Sequence, residues 1–252
     1  YTTLGMATDQ GKTSNINGVH VLSQSLGKPV DKIGHTTFRP PYKPIPLGLI
    51  AGQYAKKLFK PVRKTPIDKW NLLNNAIWEP VADWRRAYAY PKGNEGLEKT
   101  LSREVLSVRK NVGLLDSSTL GKILVKGPDA GRFLDLIYTN MMSTLKAGKC
   151  RYGLMCNEAG FVFDDGVVVR LNDQSFLCHA TSGGADRVYA WLEEWLQTEW
   201  HHLKVFIVNL TEQYSQIAVA GPKSRELLQT FNSIDLSAEK LPFMNFIETN
   251  ID

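Results

Sequence analysis

One short pattern occurs twice in this 252-residue chain and limits the folds that it can adopt. An apolar, strand-like run ends in Gly-Pro and is followed at once by a run with helical spacing, first at residues 122–134 and again at 216–228. Gly-Pro ends a strand because proline has no amide hydrogen to give to the sheet and favours a turn. Repeated strand–turn–helix units with intervening strands predict an α+β fold, with duplicated βαβ-like halves and antiparallel or mixed sheets.

Other segments show the spacing of single elements. Apolar residues three and four positions apart predict a helix over 97–112, with Gly113 as its stop signal. The remaining predicted elements are a helix over 15–26, a strand over 122–126, a helix over 129–136, a turn over 157–160, a strand pair or one long bent strand over 161–171, and an amphipathic helix over 188–200.

The chain changes in character near residue 60. Residues 1–59 are rich in Gly, Thr, Ser and Asn, and the run 38–46 contains four prolines. Four prolines in nine residues exclude a helix or a central strand and favour an extended connector. We therefore divide the chain into residues 1–62 and 63–252. Because the chain opens with Tyr rather than Met, we expect it to be a fragment.

Composition and charge exclude several classes of protein. The net charge is +5, and the basic residues are scattered along the chain. They form no patch dense enough to indicate a nucleic-acid-binding protein. No apolar run reaches the length of a membrane-spanning helix, so we expect no membrane partner. The three cysteines form neither a disulfide framework nor a metal-ligand spacing. We therefore expect a reducing, cytoplasmic compartment and no metal site.

Two adjacent carboxylates, Asp164 and Asp165, stand in an apolar run just after the turn predicted at 157–160. Side chains alternate along a strand, so the two acids are predicted to point to opposite faces of a sheet. A carboxylate among valines and phenylalanines is costly to bury unless it is paired or hydrogen-bonded. The pair therefore fits a tuned acid, base or electrostatic stabiliser, and it fits equally a strand end where both acids reach solvent.

Five segments together resemble one family. The run Asn157-Glu-Ala-Gly-Phe-Val-Phe-Asp-Asp resembles the Asn-Glu-x-Gly-Gly-x-x-Asp-Asp signature of the glycine-cleavage T-protein, or aminomethyltransferase, family. The supporting segments, in the family's order, are Arg63-Lys-Thr-Pro, Val112-Gly-Leu-Leu-Asp-Ser-Ser, Ala218-Val-Ala-Gly-Pro and Leu241-Pro-Phe-Met. The resemblance implies an α+β, T-protein-like folate-binding domain, truncated in this chain, with mixed or antiparallel sheets and packed helices.

The resemblance also implies roles for four residues. Asp165 matches the family's functional aspartate, and its expected role is to stabilise positive charge beside the folate amines and to relay a proton. Tyr152 matches a position that lines the folate pocket. The resemblance likewise implies that the folate is bound by Leu120, where the family usually carries a pocket-lining Met, and by Thr181, where many members have Asn. Asp164 is then expected to be structural.

The N-terminal segment narrows the resemblance to the alpha subunits of heterotetrameric sarcosine oxidases. Tyr1-Thr-Thr-Leu-Gly-Met-Ala-Thr-Asp-Gln-Gly-Lys-Thr and Phe38-Arg-Pro-Pro-Tyr are similar to the end of that family's pyridine-nucleotide-binding domain. The resemblance implies transfer of a one-carbon unit from sarcosine to tetrahydrofolate, giving 5,10-methylenetetrahydrofolate. It also implies partner subunits, with NAD and the flavins FAD and FMN bound in the parent complex rather than by this chain.

Three alternatives stay open at this point. They are a stand-alone aminomethyltransferase-like protein, a component of a demethylase for another N-methyl compound such as dimethylglycine, and a non-catalytic folate-binding scaffold. The resemblance implies that the family's later folate-binding segments lie beyond Asp252. We therefore expect the isolated chain to be inactive.

Overall fold

The computed structural model describes residues 23–29 and 62–250. The chain divides into two compact units, Tyr1–Phe59 and Lys60–Asp252. Residues 23–26 are helical, as the predicted helix over 15–26 requires for its last turn. The rest of that helix and the proline run at 38–46 lie outside the described residues.

The described part of the second unit contains ten strands and five helices. In chain order they are β1 (Arg63–Lys64), α1 (Asp68–Leu73), β2 (Ile77–Val81), β3 (Trp84–Ala89), α2 (Leu97–Lys110), β4 (Gly113–Asp116), β5 (Gly121–Lys126), α3 (Ala130–Ile137), β6 (Cys150–Cys156), β7 (Val162–Asn172), β8 (Ser175–Ala180), α4 (Ala185–Gln197), β9 (Phe206–Asn209), β10 (Ile217–Ala220) and α5 (Ser224–Gln229).

These strands form three sheets. The largest has the order β6-β7-β8-β5-β9, and every neighbouring pair in it is antiparallel. A three-stranded sheet has the order β1-β3-β2, in which β1 and β3 are parallel and β2 and β3 are antiparallel. The third sheet is the antiparallel pair β4 and β10. The predicted α+β class with mixed and antiparallel sheets is confirmed.

One face of the five-stranded sheet carries the core, because α3 and α4 pack on it. Alternate residues of the central strands, such as Ile123 of β5 and Phe176 of β8, point toward these helices and are fully buried. The helices contribute buried apolar side chains from one side only, such as Phe133 and Leu192, as their spacing requires. The opposite face of the same sheet, called here the open face, is less covered.

The repeated strand–turn–helix pattern has the same geometry in both copies. β5 is followed by Gly127 with φ of 140°, and β10 is followed by Gly221 with φ of 120°. A Cβ atom on Gly127 would stand 2.1 Å from the carbonyl oxygen of Lys204, so only glycine fits this turn. The two copies nevertheless belong to different sheets. The repeat is therefore a local motif used twice rather than two halves of one sheet.

The predicted elements agree with the structure in place and differ in detail. The helix predicted over 97–112 is α2, but it ends at Lys110, and Gly113 begins β4 instead of acting as the stop signal. Gly113 lies against α2, since a Cβ atom there would stand 2.3 Å from Cγ2 of Val108. The segment 161–171 forms one strand, β7, and the helix predicted over 188–200 begins three residues earlier, as α4.

Candidate functional site

The turn between β6 and β7 sets the position of the two acids. The side-chain oxygen of Asn157 accepts hydrogen bonds from the amides of Ala159 and Phe161, and Gly160 completes the turn with φ of 82°. From this turn β7 carries Asp164 toward the buried face of the sheet and Asp165 toward the open face. The predicted separation of the two carboxylates is confirmed.

Asp164 is buried and its carboxylate is held by the protein itself. Its side chain is 4% exposed. Oδ1 accepts hydrogen bonds from the amides of Asp165 at 2.7 Å and Thr181 at 3.0 Å, and Oδ2 accepts one from the hydroxyl of Thr181 at 2.9 Å. These bonds replace the hydration that burial removes, and they tie β7 to the turn after β8.

Asp165 lies on the open face beside Tyr152. The Tyr152 hydroxyl donates a hydrogen bond to Oδ2 of Asp165 at 2.8 Å. This bond is the main cause that raises the pKa of Tyr152, so the hydroxyl stays protonated and acts as the donor. Within the described residues, Oδ1 of Asp165 accepts no hydrogen bond, and Tyr152 is 52% exposed. The pair is therefore a carboxylate of fixed orientation with one oxygen available to a ligand.

Leu120 and Thr181 lie at the same end of the sheet. Gly121 of β5 pairs with Ala180 of β8, so the next residues along each strand are neighbours. The hydroxyl of Thr181, besides its bond to Asp164, accepts one from the amide of Gly184 at 3.1 Å. The structure thus brings Tyr152 and Asp165 into direct contact on the open face, and it places Leu120 and Thr181 side by side at the ends of β5 and β8. The Thr181 hydroxyl bonds to Asp164, which faces the buried side, rather than to Asp165.

Polar contacts hold the segment between β4 and β5 against the end of the five-stranded sheet. Ser117, Ser118 and Thr119 are all buried. The hydroxyl oxygens of Thr119 and Ser182 are 2.7 Å apart, which links the segment before Leu120 to the turn after Thr181. Sequence analysis gave no role to these residues, because short polar side chains between two strands are typical of any turn.

Sequence analysis also missed two titratable residues near the site. Lys122 lies directly opposite His179 on the open face. The ring Nδ1 of His179 lies 2.9 Å from the carbonyl oxygen of Val167, and burial lowers the pKa of this imidazole. Burial likewise lowers the pKa of Lys122. The available signal was parity: alternation puts positions 122, 179 and 165 on one face once the strands are known.

A cavity of about 290 Å³ lies between β1, β3, the segment after β9 and Ser118 of the segment before β5. Arg63, Trp84 and Tyr214 are among the residues that line it, and none of the four predicted site residues does. Among residues 23–29 and 62–250, no cluster of three His, Cys, Asp or Glu side chains could hold a metal ion. No helix in the described ranges is both long and apolar enough to cross a membrane.

Comparison with known families assigns the fold. The family model for the GCVT N-terminal domain matches residues 67–252. The chain belongs to this GCVT family. A second family model, for the sarcosine oxidase A3 domain, matches residues 1–53. The family suggested by the Asp-Asp signature is therefore confirmed. The two matched regions are separated by residues 54–66.

Individual relatives of this GCVT-family chain fall into two groups. Sarcosine oxidase alpha subunits from Corynebacterium sp. (strain P-1) and Rhizobium meliloti (strain 1021) are 44% and 40% identical to it over its whole length. The aminomethyltransferase of Natranaerobius thermophilus is 37% identical over 58% of the chain and 38% of its own length. The chain spans about a quarter of the length of the sarcosine oxidase relatives, 26% in each case.

A solved structure supports the same fold. The glycine cleavage system aminomethyltransferase T from Bartonella henselae matches with a TM-score of 0.63 at 26% identity. The match covers 73% of this GCVT-family chain and 46% of that protein. The predicted T-protein-like fold is confirmed.

Proposed function

We propose that this chain is part of a sarcosine oxidase alpha subunit and that residues 63–252 form its folate-binding unit. There, the one-carbon unit from oxidative demethylation of sarcosine is transferred to tetrahydrofolate, giving 5,10-methylenetetrahydrofolate. The observation that carries the proposal is the Asp165 carboxylate, oriented by the Tyr152 hydroxyl on the open face at the position of the family's functional aspartate.

The extent of the matches favours an oxidase subunit over a stand-alone aminomethyltransferase. Sarcosine oxidase alpha subunits match all of the chain, including the segment before the GCVT domain. Aminomethyltransferases match between 58% and 73% of it. We therefore assign residues 1–62 to the end of a pyridine-nucleotide-binding domain with its connector. NAD, FAD and FMN belong to the parent complex, which we assign, with its partner subunits, to the cytoplasm.

The residues present fit a folate. When bound, tetrahydrofolate supplies the nitrogen nucleophiles that capture the one-carbon unit. Oδ1 of Asp165 would accept hydrogen bonds from these amines, and its negative charge would stabilise positive charge that develops near them. Tyr152 fixes the carboxylate, and Thr181 binds Asp164 on the other face of the sheet. Leu120 would supply an apolar contact to the ligand. Holding acceptor and electrophile together keeps a reactive one-carbon unit from escaping.

The test is a calorimetric titration of the assembled oxidase with tetrahydrofolate. Asp165→Asn keeps the shape and removes the charge, so we expect folate affinity to fall about tenfold or more, as loss of a charge-assisted hydrogen bond implies. Glu158→Gln is the matched control, because Glu158 is an exposed acid in the turn of the same hairpin. Equal affinity of wild type and Asp165→Asn would refute the proposal.

A further inference from the structure

Lys122 of β5 is buried, although a lysine at the end of a strand is ordinarily exposed to solvent. β5 carries lysine at both ends of its apolar run, and Lys126 is exposed, whereas Lys122 is 2% exposed. Burial of an ammonium group is unfavourable unless hydrogen bonds replace its hydration. Its position therefore requires a specific set of acceptors.

Those acceptors are backbone carbonyls rather than a carboxylate. Nζ of Lys122 donates to the carbonyl oxygens of Ser118 at 2.9 Å and Leu120 at 2.7 Å. Within the described part of the chain, no carboxylate oxygen lies within ion-pair distance of Nζ. Asp116 is the acid whose charge favours the ammonium form, and it acts from farther away. The lysine is thus bound to the segment that enters β5 and not to an acidic partner.

This segment is held from three directions. The amide of Leu120 donates a hydrogen bond to the carbonyl oxygen of Ser117 at 3.0 Å, and the Thr119 hydroxyl is hydrogen-bonded to that of Ser182. The Lys122 ammonium binds the carbonyl oxygens of Ser118 and Leu120. Leu120 itself is half-buried and lies next to Thr181, at the ends of β5 and β8. Removal of the ammonium would leave two carbonyls of this segment without their donor.

We propose that Lys122 is a positioning residue for the folate site, acting through the backbone of Leu120. The inference rests on the proposed function, since it takes Leu120 as a folate contact. Lys122 acts without touching a reacting atom. Its ammonium fixes the segment 118–120 so that the Leu120 side chain is already in place when the ligand arrives.

The experiment compares four variants of the assembled oxidase by calorimetric titration with tetrahydrofolate and by thermal unfolding. Lys122→Met keeps the length of the side chain and removes the donors. Leu120→Ala removes the proposed contact, and the double variant joins the two. Val125→Ala is the matched control, because Val125 lies on the same strand, is fully buried and points to the other face.

We expect Lys122→Met to weaken tetrahydrofolate binding about tenfold, and Val125→Ala to lower the unfolding temperature without changing the affinity. The double variant should bind no more weakly than about the worse of the two single variants, because Lys122 acts through Leu120. Multiplicative effects in the double variant, or wild-type affinity in Lys122→Met, would overturn the inference. If Lys122→Met does not assemble, Lys122→Gln takes its place with the same criteria, because its side chain is uncharged and one atom too short to hold both carbonyls as Nζ does.

Asp165→Asn, measured in the same series, separates the two proposals. Weak binding in Asp165→Asn with normal binding in Lys122→Met overturns the positioning role and leaves the folate site standing. Normal binding in Asp165→Asn overturns the proposed function itself.

Discussion

Removal of the Asp164 carboxylate tests whether this buried acid is structural. Asp164→Ala leaves two backbone amides, those of Asp165 and Thr181, without an acceptor, and it leaves the Thr181 hydroxyl free to turn to solvent. A buried donor that loses its partner costs about 1–3 kcal/mol. Taking the lower part of that range for each amide and less for the exposed hydroxyl, we expect a loss of about 3 kcal/mol in the free energy of unfolding.

Asp164→Asn provides the matched comparison. Its side-chain oxygen can still accept from both amides, so we expect the loss to be about 1 kcal/mol, from weaker neutral hydrogen bonds. In a unit of this size each kcal/mol lowers the unfolding temperature by about 2–4 °C. Calorimetric unfolding of the full chain should therefore show a fall of about 6–12 °C for Ala and about 2–4 °C for Asn. Equal falls in the two variants, or a fall of under about 2 °C for Ala, would refute the hydrogen-bond account.

Three further predictions concern other residues of the five-stranded sheet and its turns. Because the pKa of His179 is lowered in the folded chain, the unfolded chain takes up a proton first as the pH falls. The free energy of unfolding should therefore decrease below about pH 6.5. His179→Gln should remove part of that decrease, measured by urea unfolding at several pH values. Burial raises the pKa of the Cys178 thiol to about 12, so iodoacetamide at pH 8 should leave this thiol unmodified in the folded chain. Mass spectrometry of the digested protein measures the modification. Modification of Cys178 ahead of Cys156 would contradict the burial of Cys178. Gly127→Ala should lower the unfolding temperature strongly, because its Cβ would meet the Lys204 carbonyl, whereas Gly96→Ala, where nothing lies within 4 Å, should not.

The sequence predicts the separation of Asp164 and Asp165, because alternation along a strand is a local property. It does not predict which acid is buried. That depends on α3 and α4, which pack on one face of the sheet only and come from distant parts of the chain. The resemblance implied that Asp165 is the functional acid and Asp164 a structural one, and in the structure Asp165 lies on the open face beside Tyr152.

The burial of Lys122 could not be predicted from its neighbours. A lysine at the start of an apolar run is typical of the boundary between a strand and solvent, as Lys126 is at the other end. Lys122 is covered because residues 116–120 fold back over it from β4, and β4 is held in turn by β10, about a hundred residues later in the chain. Likewise, the bond between Thr181 and Asp164 depends on the pairing of β7 with β8 and leaves no trace in the spacing of residues.

The order of strands in the large sheet has a consequence for the synthesis of the protein. β6, β7 and β8 are consecutive in the chain and can pair with one another as they leave the ribosome. β5 precedes all three, yet Ile123 of β5 pairs with Cys178 on one side and with Asn209 on the other. The apolar run Ile123-Leu124-Val125 therefore has no partner strand until β8 has been translated, and its second partner, β9, follows later. In the nascent polypeptide this apolar stretch is therefore exposed to aggregation until its partner strands emerge.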